Sequence, residues 1–236
     1  MIILAFDGTA KCASCAVLRD EVCLGEYNID NGLTQSELLL PMAESLLKSL
    51  RLGFADVDMY ATSVGPGSFT GVRIGAALVK GLAFGRDIPC AAVSTLEALA
   101  ENARGLRGII VPAMDARRGQ VYTAIFRSTK DGLERLCEDM AISLSDLADK
   151  LRQLEGESIY ITGDGYNVTA KYLSDAGVEV EETPKLLRNE SASSVARVAY
   201  RQYKNGETTT DKELSPTYLR LPQAERERLE RSNGNG

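Results

Sequence analysis

Asp7 is the first residue in a setting suited to chemistry, because Asp7-Gly8-Thr9 closes the apolar stretch Ile2 to Phe6. Between two strands, such a turn can aim backbone N–H groups and a hydroxyl at a phosphate while its carboxylate holds a metal or a water. Turn geometry alone also selects Asp and Gly. Asp115 ends a second apolar stretch 108 residues later, so Asp7, Gly8, Thr9 and Asp115 together point to a vestigial nucleotide cleft between two copies of one unit. Arg117 and Arg118 stand where a second phosphate loop needs glycine and hydroxyl groups, which argues against a complete ATP clamp. Gly163-Asp164-Gly165 reads as a strand-to-helix turn, with the adenosine end of such a cleft as its alternative.

The sequence contains no histidine, which removes Ser-His-Asp triads, Cys-His dyads, HExxH zinc sites and histidine acid–base chemistry together. Cys12-Ala-Ser-Cys15 has redox or zinc half-site spacing, but alternation along a strand puts its thiols on opposite faces, and no second such pair exists. Small core-filling residues are the simpler reading. Five cysteines are too few, and odd in number, for a disulfide framework, so a reduced cytoplasm is the expected home. The glycine-rich run Gly65 to Gly75 is neither a Walker A loop nor a GxGxxG fingerprint.

Positioning these residues takes an α/β chain. Strands are expected over 2–7, 13–19 and 22–29, then a helix over 34–52 opened by the capping box Thr34-x-x-Glu37 and kinked at Pro41. A strand near 58–64, a helix over 69–84, a strand over 90–93 and a helix over 95–103 follow. From Gly108 the order restarts with strands over 109–114, 120–127 and 133–140, a helix over 144–154, a strand over 158–162, a helix over 166–176, a strand over 178–182 and a helix over 193–204. That is βββαβαβα twice: a duplicated two-lobe fold with an N-terminal lobe over 1–106, a C-terminal lobe over 107–222 and a polar, frayed tail over 223–236.

Two helices look built for contact. The apolar residues of 34–52 cover about 200° of its circumference, whereas one sheet hides a stripe a little over 100° wide. Gly71, Gly75, Ala77, Gly81 and Gly85 give the segment 69–85 a small face, although each helical glycine costs about 1 kcal/mol relative to alanine. Packing on the lobe's own sheet is one outlet. The other is an exposed two-helix patch of Leu39, Met42, Leu46, Leu50, Gly71, Gly75, Leu78 and Leu82 that pairs with a second copy or a related partner as four helices.

A net charge of −6 lacks the basic footprint that binding a nucleic acid alone requires, so any RNA role must borrow charge from a partner. The opening residues have no basic n-region and reach Asp7 after a short apolar run, so neither a signal peptide nor a membrane anchor is expected.

The run Gly65-Pro-Gly-Ser-Phe-Thr-Gly-Val-Arg-Ile-Gly75 closely resembles the signature of the bacterial TsaB (YeaZ) family. Ile-Leu-Ala-Phe-Asp7-Gly-Thr, Leu39-Leu40-Pro41, Val93-Ser94-Thr95-Leu96, Asp115-Ala-Arg-Arg-Gly-Gln-Val-Tyr122 and Pro216-Thr-Tyr218-Leu219-Arg220 resemble it in order over nearly the whole chain. The resemblance implies an actin-like, Hsp70-like (ASKHA) fold and a non-catalytic scaffold. Such a scaffold supports TsaD, a paralogue with metal-binding histidines that transfers a threonylcarbamoyl group to adenosine N6 beside the anticodon of ANN-decoding tRNAs. It further implies that the ATPase TsaE joins the assembly, that ATP and metal are used by partner subunits and not by this chain, and that tRNA is met only within the complex. Gln35 is a departure, since many members carry a histidine in that region. The alternatives are a free-standing ATP-binding enzyme with Asp7 and Asp115 as cleft carboxylates, and an M22-type peptidase, for which no clustered metal-ligand spacing is visible.

Overall fold

A computed structural model describes residues 1–154 and 156–220. Strands β1 (Ile2–Asp7), β2 (Ala13–Arg19) and β3 (Val22–Ile29) form an antiparallel meander, which β4 (Met59–Ser63) and β5 (Cys90–Val93) extend in parallel to the order β3-β2-β1-β4-β5. Strands β1, β2 and β4 are covered on both faces, which is why they read as near-continuous apolar runs. Side chains alternate along them. Leu4 and Phe6 pack beneath α1 (Gln35–Ser49) and α2 (Phe69–Ala83), while Ile3 and Ala5 pack on the opposite face.

That opposite face is closed by α3 (Thr95–Asn102) and by α6 (Ala192–Asn205), the last helix of the second half, through Ala98, Val195, Val198 and Ala199. In return, α3 sends Leu96, Leu99 and Ala103 onto the second sheet against Ile110, Met114 and Phe126. The two halves are therefore interleaved and not merely adjacent.

The second sheet centres on β6 (Gly108–Asp115), with β11 (Ile159–Thr162) parallel on one edge. The expected strand over 120–127 is broken into β7 (Gln120–Thr123) and β8 (Phe126–Thr129), both antiparallel to β6. Pro112 is the reason: it has no N–H to donate across this ladder, and the Thr123 hydroxyl donates to its carbonyl instead at 2.8 Å. The neighbouring strand divides in step, so the expected segment 133–140 becomes β9 (Gly132–Arg135) on β8 and β10 (Met140–Ser143) on β7. Helices α4 (Leu144–Arg152) and α5 (Tyr166–Asp175) cover the outer face through Leu147, Leu151 and Leu173. The strand expected over 178–182 shrinks to one bridge between Tyr160 and Glu181. The first half thus runs β-β-β-α-β-α-β-α, whereas the second has, among the described residues, five strands before α4 and no strand between α5 and α6.

Beyond α6 the chain returns to the first lobe. Cys90 and Thr209 exchange both backbone hydrogen bonds at 2.8 Å, Leu214 is fully buried, and Thr217 N donates to Val64 O at 2.7 Å. The tail over 223–236 lies outside the described residues. Among the described residues, no helix is long and apolar enough to cross a membrane.

Candidate functional site

The Asp7 turn is closed. Asp7 is fully buried, with Thr9 N and Thr9 Oγ1 donating to Oδ1 at 2.9 and 2.7 Å and Ser63 Oγ donating to Oδ2 at 2.5 Å. Helix α2 sits directly on this turn, since a Cβ at position 71 would lie 1.9 Å from Gly8 O. Ser68 N donates to Thr9 O at 2.7 Å, and Ser68 Oγ accepts from Gly71 N at 3.3 Å to cap the helix. A Cβ at position 75 would lie 2.7 Å from Thr62 Oγ1. Gly71 and Gly75 thus seat α2 inside its own lobe, which is the first of the two outlets for the small face. Gln35, at the family's histidine region, donates from Nε2 to Ala10 O at 2.9 Å and so braces the same turn.

Between the lobes lies a cleft of about 530 Å³ lined by Thr9, Lys11, Ser68, Asp115, Arg117 and Asp164, with Tyr218 and Arg220 of the returning arm at its wall. Of the four residues expected in a nucleotide cleft, Thr9 and Asp115 line it, whereas Asp7 and Gly8 lie beneath the turn. Asp115 Oδ1 accepts from Arg117 N at 2.7 Å, and Asp164 Oδ1 accepts from Asp115 N at 3.1 Å. Asp164 therefore serves both the strand-to-helix turn and the cleft, and burial raises its carboxyl above the ordinary carboxylate value.

Behind Asp7, Glu190 is buried and its Oε1 has no partner among the described residues. Burial, and then the Asp7 charge, push its carboxyl up to about 8. Burial raises Asp7 too, and the three donors on Asp7 counter this only in part. Both carboxyls are raised and each disfavours ionisation of the other, so a proton held here belongs to the pair. Burial likewise pushes Cys12 to about 11 and raises Cys15, so neither thiol is poised as a nucleophile. Among the described residues, no group of three or more His, Cys, Asp or Glu is arranged to hold a metal ion.

The expected interface residues divide by burial. Leu39, Met42 and Leu46 are buried in their own lobe, and Leu50, Leu78 and Leu82 are partly buried against it. Most of the wide apolar arc of α1 is used up internally, because the helix meets β2, β3 and α2 together and not one flat sheet, although Leu40 stays exposed. Exposure of Leu39, Met42, Leu46, Gly71 and Gly75 is thereby corrected. The outward surface of α2 instead carries Ile74, Ala77, Leu78, Gly81 and, just past its end, Phe84, which is 77% exposed. The roles of Lys11, Tyr218, Arg220 and Glu190 were not visible in the sequence, since tertiary packing alone brings these residues to the cleft and the turn.

Two α/β lobes, each a strand meander followed by alternating helices and strands, with exchanged helices and a cleft between their first turns, define the actin-like class of folds. Superposition agrees: YeaZ from Pseudomonas aeruginosa matches with a TM-score of 0.77 at 24% identity, over 92% of this chain and 99% of that one. Component A of (R)-2-hydroxyglutaryl-CoA dehydratase from Acidaminococcus fermentans matches with a TM-score of 0.50 at 10% identity, over 86% of this chain and 99% of that one. Residues 34–228 match the family model described as TsaD, tRNA N6-adenosine threonylcarbamoyltransferase. The tRNA threonylcarbamoyladenosine biosynthesis protein TsaB of Bacillus subtilis is 33% identical over 98% of this chain and 99% of that protein. The protein of the same name from Escherichia coli is 30% identical over 93% and 95%. The chain belongs to the TsaB (YeaZ) family.

Proposed function

We propose that this chain serves threonylcarbamoyladenosine formation on tRNA as a non-catalytic scaffold, docking the transferase TsaD through the outward stripe of α2 and the adjoining surface of α1, with TsaE joining the assembly. The names of its relatives support the process. The observation that carries the docking role is the division of α2 into two faces. Gly71 and Gly75 are compensated by backbone and side chains within the lobe, but a Cβ at Gly81 would meet nothing within 4 Å. A helical glycine costs about 1 kcal/mol, and among the described residues nothing offsets that cost at position 81. Beside it stands Phe84, a large apolar side chain with most of its surface in water. A partner helix laid along Ala77, Gly81 and Phe84 covers both.

The Asp7 turn supports a non-catalytic reading, because the carboxylate is fully buried beneath the cleft and already accepts three hydrogen bonds from its own lobe. ATP and metal chemistry then belong to the partner subunits, tRNA is met within the cytoplasmic complex, and a second copy takes the stripe when the chain is alone. The test is Phe84→Arg, with Gly81→Leu as a second variant. Phe84→Arg should melt as the wild type does and Gly81→Leu at or above it, while co-elution with TsaD weakens at least tenfold in each. Unchanged affinity in both, with the fold intact, refutes the docking surface. Leu46→Arg is unsuitable, since it would bury an unpaired cation in the lobe core.

A further inference from the structure

Two Asn-Gly steps lie within the described residues, Asn31-Gly32 ahead of α1 and Asn205-Gly206 at the end of α6. In such a step the glycine nitrogen can attack the carboxamide carbon of the asparagine, because no Cβ on the second residue stands in the way. The structure treats the two steps differently. Asn31 and Gly32 are both exposed, Gly32 sits in the left-handed region at φ 82°, and a Cβ there would meet nothing within 4 Å, so a ring can close without a clash. Among the described residues, no acceptor engages the Gly32 N–H. Leu33 N donates to Asn31 Oδ1 at 3.1 Å. That bond folds the carboxamide back along its own backbone toward the intervening nitrogen, and it sets a fixed N–H on the oxygen that gains negative charge during attack. At the second step, Gly206 N is committed to Tyr203 O at 3.1 Å in the cap of α6. No donor among the described residues reaches Asn205 Oδ1.

We propose that Asn31 is a site of self-modification by deamidation. Gly32 N gives its proton to solvent base and bonds to Asn31 Cγ, with the Leu33 N–H holding the oxyanion. The Cγ–Nδ2 bond then breaks, and the nitrogen takes up a proton and leaves as ammonia, which closes a succinimide. Water adds to one ring carbonyl or the other and breaks its bond to the ring nitrogen, giving isoaspartate or aspartate. The sum is carboxamide plus water to carboxylate plus ammonia. Either product puts one more negative charge beside Asp30. Isoaspartate also routes the main chain through the side chain and so lengthens it by a methylene. That change falls just ahead of the Thr34 capping box and of Gln35, which braces the Asp7 turn. Neither Asn31 nor Gly32 belongs to α2 or lines the cleft, so the site is independent of docking.

Ageing the full chain in warm, mildly alkaline buffer, followed by tryptic mapping and mass spectrometry, tests it. Trypsin cuts after Lys204, so the two steps fall in different peptides. The Asn31 peptide should convert at least tenfold faster than the Asn205 peptide, with the mass change of ammonia lost and water gained. It should give two products of equal mass, of which only the isoaspartyl one takes a methyl group from S-adenosylmethionine when treated with an isoaspartyl carboxyl methyltransferase. In concentrated urea, where the turn and the helix cap are gone, the two rates should converge. Asn31→Gln should melt as the wild type does and lose both products from that peptide. Four results overturn the proposal: no conversion at Asn31, conversion at Asn205 as fast as at Asn31 in the folded chain, a rate ratio in urea as large as in buffer, or aspartate as the sole product, which is direct hydrolysis without a ring. Co-elution with TsaD enters none of these readouts, so failure here is separable from failure of the docking role.

Discussion

Replacing Gly71 with alanine adds one methyl group where the structure has no room for it. The new Cβ would stand 1.9 Å from Gly8 O, whereas Cβ contacts below 3.0 Å are essentially never seen. Helix α2 or the Asp7 turn must therefore retreat by roughly 1 Å, and both are backbone, so no rotamer change can absorb the shift. The turn is itself held by Thr9 and Ser63 on Asp7, and a retreat stretches the Ser68 N to Thr9 O bond of 2.7 Å. Overpacking of this kind costs about 1–3 kcal/mol and more where backbone must move, while alanine's helix preference returns about 1. A net loss of about 2 kcal/mol follows. Gly81→Ala is the internal control: the same substitution in the same helix meets nothing, so it should gain about 1 kcal/mol. The two variants should differ by about 3 kcal/mol, or roughly 6–12 °C in Tm for a chain of this size. Thermal and urea melts followed by circular dichroism read the difference. Gly71→Ala as stable as wild type, or Gly81→Ala as damaging as Gly71→Ala, refutes the assignment of the two faces.

Glu190→Gln should flatten the pH dependence of stability. A carboxyl raised from 4.5 to about 8 keeps its proton in the folded state and loses it in the unfolded state between those values. Its contribution is full below about 4.5 and disappears as pH rises through 8, so the wild type should weaken over that window more than the variant does. Parallel denaturation profiles at pH 5, 6.5 and 8 would show that the proton resides elsewhere. Leu214→Ala should cost about 2–4 kcal/mol, because this fully buried side chain from the returning arm fills the core under α1 and α2. A loss below about 0.5 kcal/mol in urea melts would mean that the arm is only loosely laid on the lobe.

Most elements were legible because their signals are local. The meander β1 to β3 announces itself by apolar runs broken at Asp7-Gly8-Thr9 and Arg19-Asp20-Glu21, and the Thr34 capping box forms as written, with Thr34 N donating to Glu37 Oε2 at 2.9 Å. Pro112 was readable as a missing donor, yet its effect falls on residues 124–125 of another strand, where nothing local marks a break. The state of Asp7 was not readable at all. Whether that carboxylate is open or closed depends on Ser63, fifty-six positions away, and on a glycine that lets α2 come down on the turn. The apolar arc of α1 was legible as an arc but not as an internal one, since its width matches a corner between β2, β3 and α2 as well as it matches a partner.

Gly71 links features that otherwise look independent. By admitting α2 onto the turn, it commits the Thr9 carbonyl to Ser68 and sets the rotation of the helix, which turns Gly75 inward and leaves Ala77, Gly81 and Phe84 facing out. It follows that Phe84→Arg should disturb docking and leave the melting temperature where it is, while Gly71→Ala, by lifting α2, should weaken docking and stability together.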